Sequence, residues 1–189
     1  MLNPKWKDWR AYWIAHPSSH EFAPPQPYLE EGERNAYYLF RREFTIDNLP
    51  RKALLSITGS SYYRLWINGN MVDRGPVTSM VFYRYYNELD VTGFLHQGNN
   101  TIAVELQING KTFQAGLLAE LADENNSVLA ATDESWRCCI AEAWQTNTFY
   151  YCASVYTPYQ ESFDARKEPK GWKSVSYTHL RAHETGRNL

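Results

Sequence analysis

Two kinds of side-chain chemistry are within reach of this chain. The first is acid–base work by carboxylates, for which Glu88, Asp90, Glu105, Glu120, Glu161 and Asp164 are the candidates. Cleaving a glycosidic bond uses two carboxyl groups flanking it, about 5–5.5 Å apart for retention and about 6.5–9.5 Å for inversion. Asp90 precedes Val91-Thr92-Gly93 and is placed to cap a short helical turn. Asp164 stands two residues before Arg166, a natural ion-pair or backbone-clamping partner. Both therefore have structural roles open to them. The second chemistry is recognition of sugar rings by aromatic faces and planar polar groups. The chain holds 7 Trp and 14 Tyr. By strand alternation Tyr62, Arg64 and Trp66 share one face, opposite Tyr63, Leu65 and Ile67. A Tyr-Arg-Trp surface of this kind either stacks on a sugar ring or is covered by another segment of the chain.

Metal and thiol chemistry find less support. His179 and His183 lie four apart beside Glu184, a spacing that on a helix would suit zinc. They fall, however, in Val175-Ser176-Tyr177-Thr178-His179-Leu180-Arg181-Ala182-His183-Glu184-Thr185, which looks like a translated sequencing-library adapter. Residues 175–189 are accordingly expected to be an artefact tail without a specific fold, and neither metal nor cofactor is expected. The cysteines are Cys138, Cys139 and Cys152, an odd set without C-x-x-C spacing, which is no disulfide framework. Cys138 is expected to be buried with Trp136 and Ile140, and Cys139 to point the other way.

The elements that would position these groups are short strands. Tyr38, Phe40, Phe44 and Ile46 alternate along one. Ala53, Leu55 and Ile57 follow on a second, then Tyr63, Leu65 and Ile67, then Ile102, Val104 and Leu106. Further strands are predicted over Gly116 to Ala122, Val128 to Ala131 and Trp136 to Ala141, with weak helical periodicity from Ala141 to Thr146. Asn68-Gly69 supplies the positive φ angles of a tight hairpin, and Gly98 is placed to stop the helical turn after Asp90. Arg42 falls on the apolar face of its strand, so either a bulge turns it out or it is paired inward, with Asp90 and Asp164 as candidate partners. Residues 1–30, with Trp6, Trp9, Trp13 and the prolines Pro24, Pro25 and Pro27, read as an irregular lead-in packed on the sandwich. The fold class is all-β, and residues 31–174 form a single β-sandwich domain.

The cassette from Tyr62 to Leu106 carries a family likeness. Its parts are Tyr62-Tyr63-Arg64-Leu65-Trp66-Ile67-Asn68-Gly69-Asn70, Glu88-Leu89-Asp90-Val91-Thr92-Gly93-Phe94-Leu95 and Gly98-Asn99-Asn100-Thr101-Ile102-Ala103-Val104-Glu105-Leu106. With Glu161-Ser162-Phe163-Asp164-Ala165-Arg166, Glu168, Pro169, Gly171 and Trp172, it resembles the N-terminal domain of bacterial alpha-L-rhamnosidases. The resemblance runs from Trp13 to Trp172. It implies a jelly-roll (galactose-binding-like) β-sandwich that is itself non-catalytic and supports or helps form a carbohydrate-binding cleft. In that family the catalytic acids lie in a separate helical barrel far downstream, so none carries over to this chain. The implied partners are that missing catalytic domain and rhamnose-containing glycans. A stand-alone carbohydrate-binding module and a structural or adhesive sandwich remain the alternatives.

Composition sets the outer bounds. A length of 189 residues suits one domain with a substantial core. A net charge of −2 lacks the basic footprint of nucleic-acid binding. No apolar run reaches signal-peptide or membrane-span length, from which a cytoplasmic location and no membrane partner are expected.

Overall fold

The computed structural model describes residues 7–17, 35–77, 84–108, 116–146, 148, 160–175 and 187–188. Alternation sorts them into two antiparallel sheets. The strands are β1 (Ile14–Ala15), β2 (Ala36–Ile46), β3 (Ala53–Gly59), β4 (Tyr62–Ile67), β5 (Asn70–Gly75), β6 (Asn87–Asp90), β7 (Gly98–Ile108), β8 (Leu117–Asp123), β9 (Val128–Ala131), β10 (Arg137–Ile140) and β11 (Arg187–Asn188). One sheet runs β11-β1-β8-β3-β6, with β9 beside β8. The other runs β10-β2-β7-β4-β5. The fold is the β-sandwich that the alternating pattern predicts.

The core lies between the sheets and takes every second residue. Tyr38, Phe40, Phe44 and Ile46 from β2 meet Leu55 and Ile57 from β3, Leu65 and Ile67 from β4, and Ile102, Val104 and Leu106 from β7. Trp136 and Cys138 belong to the same cluster. Ile140 does not: it ends an outermost strand and is 46% exposed. Trp13 also departs from expectation, being half-buried with the Arg84 guanidinium 5.3 Å from its ring centre. Ala141 to Thr146 form turns and a single bridge rather than a helix.

The Asn68-Gly69 turn has φ values of 50° and 84°, the left-handed pair of a type I′ hairpin. Asp90 accepts hydrogen bonds from the Thr92 amide at 3.1 Å and its hydroxyl at 2.6 Å, one residue before the cap of the 3-10 turn Thr92–Phe94. Gly98 does not end that turn, which is already extended at Leu95. Its φ of 92° instead leads the chain into β7. Arg42 lies on the inner face without a bulge, since β2 and β7 stay in register from Ala36 to Ile46. Neither Asp90 nor Asp164 pairs with it, and its buried Nε finds no hydrogen-bond partner among the described residues.

The lead-in is not wholly irregular. Ile14–Ala15 joins the first sheet beside β8, and Lys7 and Arg10 reach Glu120 on that sheet's outer face. Two tail residues, Arg187 and Asn188, pair with β1, which gives that short strand a second neighbour. Tyr177, His179, Leu180, His183, Glu184 and Cys152 lie outside the described residues. No helix among the described residues is long and apolar enough to cross a membrane.

Candidate functional site

The outer face of the second sheet holds the candidate site. Strand alternation places Tyr37, Leu39 and Arg41 of β2, Arg64 and Trp66 of β4, and Ala103 and Glu105 of β7 on this side. Two later segments cover part of it. Residues 143–145 and 162–164 pair with each other, through Asp164 N to Ala143 O at 2.8 Å and Gln145 N to Ser162 O at 2.9 Å. They set Trp144 flat against Tyr37, with ring centres 4.5 Å apart. Trp172, fully buried, packs edge-on to Trp66 at 5.4 Å. Arg41 is 2% exposed and donates to the carbonyls of Trp172 at 2.6 Å and Ser174 at 2.8 Å.

This cover separates the three predicted sugar-contacting residues. Trp66 is sealed beneath Trp172, and Lys173 lies 4.6 Å over its ring, so it offers no open face. Tyr62 and Arg64 remain together, lining a cavity of about 280 Å³ with Tyr37, Tyr63, Arg74, Gly75, Pro76, Glu105, Gln107 and Glu161. The described part of the lead-in, residues 7–17, sits on the other sheet.

Arg64 is the hub of the cavity. Its Nη1 donates to Glu105 Oε1 at 2.9 Å, its Nη2 to Glu161 Oε1 at 3.4 Å, and its guanidinium lies 4.9 Å over the Trp144 ring. The other Glu105 oxygen accepts from Trp144 Nε1 at 2.8 Å. Burial pushes the Glu105 carboxyl above the usual carboxylate range, against the pull of Trp144 and Arg64. A buried, raised carboxyl beside a second, more exposed one superficially matches an acid–base pair. The geometry argues against that use, because both Glu105 oxygens are engaged and the residue is only 6% exposed.

On the inner side of β4, opposite Arg64, a second network holds the strand pair β4–β5. Tyr63 Oη donates to Asp73 Oδ2 at 2.8 Å, and Asn87 Nδ2 donates to the same oxygen at 2.8 Å. Burial and this contact push the Tyr63 hydroxyl well up. A Cβ on Gly75 would stand 2.7 Å from Asn87 Nδ2 and 3.0 Å from Tyr63 Oη, so a larger residue there would have to displace this network.

The remaining motif residues are structural. Asp164 accepts two side-chain hydrogen bonds from Arg166, each 2.8 Å, and its backbone amide at 3.1 Å, capping the 3-10 turn Ala165–Lys167. Those bonds hold the Asp164 carboxyl below its ordinary range. Burial pushes the Cys139 thiol up to about 11, away from a nucleophilic thiolate. No group of three His, Cys, Asp or Glu suited to a metal exists among the described residues. Sequence reading missed Trp144 and Arg41. Their signals were a Trp within the weakly helical stretch Ala141 to Thr146 and an Arg that alternation places opposite the core face of its strand.

No family model matches the chain, and no curated protein does. Solved structures do. The GH78 family rhamnosidase of Bacillus sp. GL1 aligns over 97% of this chain and 18% of its own, with 29% identity and a TM-score of 0.79. The alpha-L-rhamnosidase of Aspergillus terreus aligns over 95% and 21%, with 25% identity and a TM-score of 0.70. A lectin of Pleurotus ostreatus shares the fold alone, at 17% identity and a TM-score of 0.57. The chain thus spans about a fifth of the length of the rhamnosidases it matches. Over nearly all of its own length it is similar to one β-sandwich region of the GH78 alpha-L-rhamnosidases, consistent with their N-terminal domain.

Proposed function

We propose that this chain is a non-catalytic, carbohydrate-related module that supports the sugar-binding cleft of an alpha-L-rhamnosidase whose catalytic domain lies elsewhere. The observation that carries the reading is the alignment itself: 97% of this chain against 18% of a rhamnosidase, at a TM-score of 0.79. The carboxylates supply independent support. Glu105 is closed off by Arg64 and Trp144, Asp90 holds a turn, Asp164 is bound by Arg166, and Glu120 is bound by Lys7 and Arg10. None of these four is left as a general acid facing an open site, and Glu161, at the cavity, is paired with Arg64. General acid–base assistance typically contributes 10²–10⁴-fold, and electrostatic stabilisation in the same pocket adds to it.

The test is release of rhamnose from an aryl alpha-L-rhamnoside by the purified chain. No turnover above background is expected. Sustained turnover abolished by Glu105→Gln or Glu161→Gln would overturn the reading.

A further inference from the structure

We propose that the cavity around Arg64 is a binding site for a single neutral sugar ring. The choice of a sugar rests on the module reading above; the choice of one uncharged ring comes from the cavity itself.

Size is the first argument. Pockets for drug-sized ligands run to about 300–1,000 Å³. At about 280 Å³ this one falls just below, room for one ring rather than a chain of them. Charge is the second. The lining carries two arginines, Arg64 and Arg74, against two carboxylates, Glu105 and Glu161. Arg64 is already shared between both acids. An anionic ligand would gain Arg74 but meet the half-exposed Glu161, and a cationic one would face the reverse. A ligand with many hydroxyls and no net charge avoids both penalties, because each hydroxyl can donate to a carboxylate and accept from a guanidinium.

Preorganisation is the third argument. Arg64 is held by two carboxylates and by the Trp144 face, so it loses little freedom when a ligand arrives. Tyr62 lines the cavity and is 44% exposed, an aromatic ring of the kind that packs on the C–H side of a pyranose. At the back, Tyr37 lines the cavity wall with its ring fixed against Trp144, the ring centres 4.5 Å apart.

The deciding measurement is NMR titration of the full 189-residue chain with methyl alpha-L-rhamnoside, methyl beta-D-galactoside and D-galacturonate. The expected result is saturable shifts at Tyr62 and Arg64 with at least one neutral glycoside, and binding of the uronate weaker by about tenfold. Tyr62→Ala, which removes an exposed ring and leaves the core intact, should weaken the neutral ligand by roughly tenfold, the order expected for a lost stacking contact. Its thermal midpoint should stay that of the parent chain. Failure of both glycosides to saturate, tighter binding of the uronate, or unchanged affinity in Tyr62→Ala would each overturn the proposal. None of these outcomes bears on the absence of hydrolysis, so the module reading would stand or fall separately.

Discussion

Asn68 Nδ2 donates to Asn100 Oδ1 at 2.8 Å, tying the β4–β5 hairpin to the first residues of β7. Asn68 also donates to the Phe94 carbonyl at 2.9 Å and accepts from the Thr101 amide at 2.8 Å. Asn100, fully buried, donates in turn to the carbonyls of His96 and Gly98. The turn residue that looked purely conformational is therefore a hydrogen-bond junction between three segments.

A consequence is that the two turn residues should respond differently. A Cβ on Gly69 meets nothing closer than 3.9 Å, so Gly69→Ala costs only its left-handed backbone, about 1–2 kcal/mol. Asn68→Ala loses three side-chain hydrogen bonds, to Phe94, Asn100 and Thr101, in addition to a left-handed backbone cost of its own, and should cost about 2–4 kcal/mol. Urea denaturation of both variants checks the order. A Gly69→Ala loss larger than that of Asn68→Ala would contradict the junction.

Truncation in the core should be costly in the usual way. Leu65 and Ile102 are 0% and 1% exposed and point from the neighbouring strands β4 and β7 of one sheet into the inter-sheet cluster. Leu65→Ala or Ile102→Ala should each lower stability by about 2–5 kcal/mol. An unchanged denaturation midpoint for either would contradict the strand assignment.

The inner face was legible because alternation is a local code. Tyr38, Phe40, Phe44 and Ile46, and likewise Leu65 and Ile67, follow from period two alone. The outer face was not legible, since its burial depends on segments more than a hundred residues away in sequence, Trp144 over Tyr37 and Trp172 over Trp66. Alternation placed Tyr62, Arg64 and Trp66 together but could not say which of them would be covered. Trp13 and Ile140 were misjudged for a related reason: apolar type is local, whereas a place at the margin of a sheet is a property of the assembled fold.

Glu120 should set an acid limit on docking of the lead-in. Burial alone would raise this carboxyl, but the Arg10 side chain and backbone, with Lys7, outweigh it and hold it down at about 2. A depressed folded value means the contribution is present above the unfolded value and is lost as pH falls through the folded one. Against an ordinary value of 4.5, the difference amounts to roughly 3 kcal/mol, fading between about pH 4.5 and 2. Chemical denaturation across that range should show the fall in the parent chain and a flatter profile in Glu120→Gln. Parallel profiles would mean that Glu120 does not carry the acid sensitivity.

Arg41 should act as the clasp of the segment over the outer face. It bridges the Trp172 and Ser174 carbonyls from a buried position and pairs with Glu43. Lysine would keep the charge but cannot present the planar fork that reaches both carbonyls. Arg41→Lys should therefore release residues 170–174 while the inter-sheet core, which Arg41 does not touch, stays folded. Local opening of this kind shows as faster proteolysis when cleavage tracks the open population. Trypsin should cut after Lys170 or Lys173 at least about tenfold faster in the variant, a population change of roughly 1.4 kcal/mol. Trp172 fluorescence should move toward that of a hydrated indole at the same time. Equal cleavage rates in the two proteins would show that the segment is held by Trp172 packing alone.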